Sequence, residues 1–161
     1  MSRPRQIAGL SIVIAAMAFD LLTKWYVEEY LVGIGGSLDV FRFFGLRLGH
    51  NRGVTFGLFS SEGSFAPVVL AALAFAVSAY LVYRILRSAT WRQAVPFAMI
   101  AGGALGNAFD RLGDGAVTDF LDVHASGYHW PTFNFADVFI VAGVLFILFE
   151  TVVGQEEDGS H

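Results

Sequence analysis

The chain contains no cysteine, which excludes disulfides, thiol nucleophiles and cysteine-based metal sites. Charge is scarce as well: only 15% of the 161 residues are Asp, Glu, Lys or Arg, against 55% hydrophobic. A soluble domain of this size wets its surface with far more charge. The composition therefore predicts a single integral membrane domain over residues 1–161. A net charge of −4 is too mild to imply a polyanionic partner, and no nucleic-acid-binding motif is present. No serine stands in a Gly-x-Ser-x-Gly elbow, so a serine hydrolase mechanism has no support. Internal repeats and low-complexity segments are lacking too.

What the chain does have is four apolar runs, at residues 7–27, 65–83, 94–109 and 136–153. A helix needs roughly 20 residues to cross the hydrocarbon. The third run is short and reaches that length only by borrowing polar flanks, yet parity and its pairing with the second run require a span. Arg3 and Arg5 ahead of the first run resemble a signal peptide, and Ala16-Met17-Ala18 imitates a cleavage site. Apolar residues nevertheless continue to Trp25 and Tyr26, rings suited to a membrane interface, so a retained anchor is expected. The short connection at residues 84–93 holds Arg84, Arg87 and Arg92 without an acid. By the positive-inside rule it is cytoplasmic with both termini, and residues 28–64 and 110–135 form outer loops. Partial alternation from Leu38 to Leu48 suggests strand. Residues 117–124 and 128–133 flank Ala125-Ser126-Gly127, a hairpin turn. The expected fold is an all-α membrane protein of four transmembrane helices with a small β-platform made by the two outer loops.

Several polar residues stand out against this apolar background. Asp20 and Lys24 are four apart on the first helix, in the favourable order for an ion pair. They read either as a structural pair near the outer interface, with Lys24 snorkelling, or as residues positioning a ligand. Gly102 and Gly106 form a small-xxx-small pair that suits close helix packing. Asn107 and Arg111 end the third run, with Arg111 reaching toward loop carbonyls or a substrate. Asn51-x-Gly53 is a weak signal, since Asn-x-Gly is also an ordinary turn.

The second outer loop is acidic, with Asp110, Asp114, Asp119 and Asp122, and with Asp137 at its far edge. Asp114 and Asp122 read as solvated loop positions. Gly113-Asp114 is similar to the Gly-Asp motif of presenilin-type proteases, but lies in a turn. His124 and His129 match no defensible metal signature, so no metal is expected. Asp119 and Asp137 differ from the rest. Asn134 makes a good N-cap for the fourth helix, which places Asp137 in its first turn, where the helix dipole favours the ionised form. Asp119 sits among Val117, Thr118, Phe120 and Leu121, a setting that favours the neutral acid. Environments that push two acids apart assign them opposite roles. A small transporter or channel subunit with an acidic outer site is the rival reading, and a metal-dependent membrane hydrolase a third.

Five blocks occur in order: Asp20-x-x-Thr23-Lys24, Asn51-x-Gly53-x-x-Phe56, Gly102-Gly103-Ala104-Leu105-Gly106-Asn107-x-x-Asp110-Arg111, Val117-x-Asp119-Phe120 and Phe133-Asn134-x-Ala136-Asp137. Together they resemble lipoprotein signal peptidase (signal peptidase II) over nearly the whole chain. The resemblance implies an aspartic endopeptidase of the bacterial inner membrane with a periplasmic active site. Its substrates would be lipidated prolipoproteins, cut before a diacylglyceryl-modified cysteine. It carries catalytic roles onto Asp119 and Asp137, and supporting roles onto Asp20, Lys24, Asn51, Gly53, Asn107, Arg111 and Asn134. No organic cofactor or metal is expected, membrane lipid is the surrounding partner, and the chain is expected to be a monomer. Thr55 stands where the family commonly has Ala.

Overall fold

The computed structural model describes residues 3–53 and 65–158. Thr55 and Phe56 lie outside the described residues. In chain order the elements are α1 (Arg3–Gly33), β1 (Ser37–Phe41), β2 (Phe44–Asn51), α2 (Ala66–Arg87), α3 (Trp91–Gly113), β3 (Val117–Ala125), β4 (Tyr128–His129) and α4 (Phe135–Asp158). The four apolar runs fall in helices, apart from Phe65, which caps α2, and α1 extends beyond residues 7–27 at both ends.

Three stretches among the described residues are long and apolar enough to cross a membrane: Pro4–Gly33, Ala66–Arg87 and Phe135–Val153. They expose Ile14, Leu22, Leu73, Val77, Leu145 and Leu148, among others. Apolar exposure on this scale is untypical of a soluble surface and suits lipid. Helix α3 is the exception. Its 23 residues would reach roughly 34 Å at 1.5 Å each, but Arg92, Gln93, Asn107, Asp110 and Arg111 lower its apolar content. Its position explains the composition, because α3 packs against α1, α2 and α4.

The glycines of α3 make that central position possible. A Cβ at Gly102 would lie 2.7 Å from both the Ala16 Cβ and the Val13 carbonyl oxygen of α1. One at Gly103 would run into the Ala136 carbonyl of α4, and one at Gly106 into the Asp20 carboxylate. Backbones therefore approach where side chains would hold them apart. Val13, Leu81, Ile85, Ala94, Ala98 and Ala101 form an apolar core between helices. A second cluster of Leu31, Phe120 and Leu121, with Phe44 and Phe133 against it, joins the sheet to the helix ends. Along α1, Asp20 and Lys24 fall between these clusters.

The strands pair antiparallel in the order β1-β2-β3-β4. The stretch from Leu38 to Leu48 is not one strand but the two arms of a hairpin, turning at Arg42-Phe43 between β1 and β2. The expected turn between β3 and β4 is present, with Ser126 and Gly127 both at positive φ (52° and 81°). Two such residues in succession match the twist of a two-residue hairpin. Strand β4 ends at His129, short of Phe133, because Pro131 has no N–H to continue the ladder. A single bridge between Leu121 and Phe133 resumes the pairing beyond it.

Candidate active site

Helix α4 begins with a reciprocal cap. The Asn134 side-chain oxygen accepts the Asp137 N–H at 3.1 Å, and the Asp137 carboxylate accepts the Asn134 N–H at 3.2 Å. This closed ring fixes where Asp137 points. The amide nitrogen of Asn134 faces the other way and donates to Asp119 Oδ1 at 2.6 Å. One fully buried asparagine thus holds both acids that the sequence analysis singled out.

Lys24 sets the polarity of the surrounding network. Its ammonium group, buried rather than snorkelling, reaches Asp20 Oδ2 at 2.7 Å, Asp110 Oδ2 at 2.9 Å and Asn107 Oδ1 at 2.9 Å. Three N–H groups meet three acceptors, so the charge is satisfied without water. An ammonium only donates, so the oxygen of Asn107 must face it and the Asn107 amide nitrogen must face away. That nitrogen donates to Asp137 Oδ1 at 2.9 Å. Asp20 Oδ1 accepts the Ala136 N–H at 2.7 Å, which ties α1 to the first turn of α4. Asp110 also accepts the Thr118 N–H at 3.1 Å, anchoring β3 beside the site.

Of the nine site residues read from the sequence, Asp20, Lys24, Asn107, Asn134, Asp119 and Asp137 thus form one connected network. Asn51, at the end of β2, lies close enough to the Asp119 carboxyl to favour its charged form, and it caps its own turn by accepting the Gly53 N–H at 2.8 Å. Gly53 has a φ of 74°, and a Cβ there would run into Leu70 and lie 3.8 Å from the Arg111 guanidinium. Arg111 donates to the Asn107 carbonyl at 3.1 Å and makes no ion pair with Asp110, its neighbour in the chain. Its buried Nε has no hydrogen-bond partner among the described residues. Asp137, Asp119 and Asp110 all act on it electrostatically.

Asp119 is almost wholly enclosed, and burial pushes its carboxyl up to about 6. The nearby Asp137 charge adds to the rise, while hydrogen bonds from Asn51 and Asn134 and the charge of Lys24 oppose it. The apolar stretch around residues 117–121 had this consequence in the sequence, and the structure supplies its cause. Asp137, by contrast, lies at the N-terminus of α4 and accepts two hydrogen bonds, from the Asn107 amide and from the Asn134 backbone.

One aspartate of the outer loop stands differently from expectation. Asp114 is exposed, as expected, but Asp122 is not a solvated loop residue. It is 2% exposed, sits inside β3 and receives His129 and His124. Acidic-loop statistics cannot reveal this, since burial came from β2 and β4 pairing on either side of β3. Asp110 and Thr118 were missed as site members. Two signals pointed to Asp110: its place in the Asn107-x-x-Asp110-Arg111 block, and its spacing of three residues from Asn107, which puts both on one helix face.

Long apolar helices, a small sheet at their ends and a buried acid–lysine–asparagine network define a mostly helical protein of the membrane class with a polar site at one end. The family model described as signal peptidase (SPase) II matches residues 12–153. The chain belongs to the signal peptidase II family. It is 37% identical over 146 residues to a lipoprotein signal peptidase of Anaplasma phagocytophilum, covering 89% of this chain and 91% of that one. A lipoprotein signal peptidase of Rhodopseudomonas palustris is 36% identical over 151 residues, covering 91% and 92%. Two solved structures, each described as a bacterial membrane enzyme, share the fold at 27% identity. One has a TM-score of 0.70 over 95% of this chain and 90% of its own, the other 0.73 over 89% and 92%.

Proposed function

We propose that this chain removes signal peptides from prolipoproteins and does so as an aspartic endopeptidase, with Asp119 and Asp137 as the catalytic pair. The observation that carries this reading is Asn134, which caps the helix bearing Asp137 while binding Asp119 through its amide. In this mechanism Asp137 is the base and takes a proton from a water as the water oxygen attacks the scissile carbonyl carbon. Asp119, the neutral partner, gives its proton to the carbonyl oxygen. The tetrahedral diol then collapses: the C–N bond breaks, the protonated Asp137 gives its proton to the leaving nitrogen, and Asp119 recovers one from the diol. The acids end as they began.

The substrate side of the reading rests on an apolar groove of about 440 Å³ that descends α4 from Asp137 past Val138, Val141 and Leu145, with Trp130 and Phe133 at its head. Such a groove suits the acyl chains of a diacylglyceryl-modified cysteine, with the scissile bond held beside the acids. Arg111 and Asn51 stand ready to position the substrate backbone. In the same reading α3 is the fourth transmembrane helix, both termini are cytoplasmic, the sheet is periplasmic and the membrane is the bacterial inner membrane. The rival reading of a transporter or channel subunit has no support in the family. The test is cleavage of a lipidated precursor by purified protein, compared with the unlipidated form. Wild type cuts the lipidated form in the presence of a chelator, whereas Asp119→Asn and Asp137→Asn insert but do not cut. Cleavage by both variants would remove the aspartic mechanism, and equal rates on the two precursors would remove the lipid requirement.

A further inference from the structure

On the outer hairpin, away from the acid pair, β3 and β4 bring three ligand-type side chains together. His124 and His129 are direct cross-strand partners, and Asp122 lies two residues before His124, on the same face of β3. Asp119 is three residues from Asp122 and belongs to the opposite face, so this cluster is separate from the catalytic network. The donor atoms of all three side chains lie within 4.8 Å of one another. His129 Nδ1 is 2.8 Å from Asp122 Oδ2, and His124 Nδ1 is 3.2 Å from the same oxygen. Tetrahedral zinc, with ligand bonds of about 2.0–2.2 Å, sets neighbouring donors roughly 3.3–3.5 Å apart. The two Asp122–histidine separations are within a few tenths of an ångström of that spacing.

From these ligands we propose a divalent-metal site at Asp122, His124 and His129, of the kind that takes zinc, with water as a fourth ligand. Two imidazoles and one carboxylate are a donor set that zinc and other late first-row cations prefer over calcium or magnesium. Charge points the same way. Asp122 is 2% exposed, and the guanidinium nearest it, Arg47, approaches only to 3.8 Å from a half-exposed side chain. Among the described residues that guanidinium is the only fixed positive charge paired with this buried carboxylate, and a divalent cation would add a closer one. His129 is 34% exposed, so the site opens outward and an ion has a path in. A bound ion would clasp the two-residue β4 to β3. Arg47 opposes it, because its Nη2 is 3.5 Å from His129 Nε2 and that nitrogen carries a proton once Nδ1 holds metal.

The test is a calorimetric zinc titration of the full-length chain in detergent, purified without a polyhistidine tag. Wild type should bind one zinc and melt at a higher temperature with it. His129→Ala and Asp122→Asn should weaken binding at least tenfold to 100-fold, about the range seen for losing even an outer partner of a metal ligand. His50→Ala, which alters a histidine paired with Glu28, should bind zinc as wild type does, and Arg47→Gln should bind it more tightly. His129→Cys separates a lost ligand from a lost fold: a thiolate ligates zinc, so one-to-one binding returns, and cobalt gives a thiolate charge-transfer band. The proposal is overturned if wild type shows no saturable binding, if His50→Ala loses zinc equally, or if His129→Ala and Asp122→Asn keep it.

Discussion

Asn134 does two jobs through the two ends of one side chain, and substitutions can separate them. Its oxygen caps α4 and its amide nitrogen binds Asp119. Asn134→Asp keeps a capping oxygen but loses the donor, so the helix should persist while cleavage falls about 100-fold, the cost of a small misplacement of reacting groups. Asn134→Ala should lose cleavage as well and cost a further 1 kcal/mol or so from the missing cap, read as a lower melting temperature. Asp119 invites a pH experiment. Its carboxyl is raised from 3.8 to about 6 in the folded chain, so its contribution to stability is complete below pH 4 and is lost as pH rises through 6. Asp119→Asn cannot ionise. The melting temperature of Asp119→Asn minus that of wild type should therefore grow between pH 4 and pH 7, and a flat difference would contradict the raised carboxyl.

At the scale of elements, α3 organises the molecule. Its small residues let α1 and α4 approach, and Asn107 and Asp110 on the same helix then reach Lys24 and Asp137. Adding a methyl group tests the fit position by position. Gly103→Ala meets the Ala136 backbone, which cannot move aside, and should cost about 1–3 kcal/mol, the usual range for overpacking. Gly106→Ala should push Asp20 off Ala136 and Lys24, lowering both stability and activity. Gly113→Ala, with nothing within 4 Å, should be neutral or slightly stabilising through helix propensity. Thermal unfolding in detergent ranks the three, and equal effects would show that close packing is not why glycine stands at 103 and 106.

Across the whole molecule, the polar network lies at one end of the helices, where the sheet meets them, and the arginine-rich α2–α3 connection lies at the other. If α3 is the fourth span, a reporter fused after Arg87 reads as cytoplasmic and one inserted near Gly127 as periplasmic. The opposite pattern would invert the bundle. The arrangement also accounts for a polar helix within an apolar chain. Because α3 meets three helices, its Asn107 and Asp110 are satisfied by protein and need no contact with lipid.

Local chemistry along the chain was enough to find the helices, the turn at Ser126-Gly127, the cap at Asn134 and the two acids of the candidate site. Each depends on periodicity, a fixed dihedral or a partner three or four residues away, and such signals survive in one dimension. The membrane class likewise follows from how little charge there is to wet a surface. Tertiary structure alone decided the rest. Lys24 turned inward because α3 brought Asn107 and Asp110 to it, although snorkelling was open to a lysine judged on its own helix. Asp122 became buried because β2 and β4 closed on either side of β3. The stretch at residues 38–48 broke into a hairpin, and β4 stopped short at Pro131. Those outcomes turn on which distant segment covers a given side chain, and burial by a partner dozens of residues away leaves no mark on the local pattern.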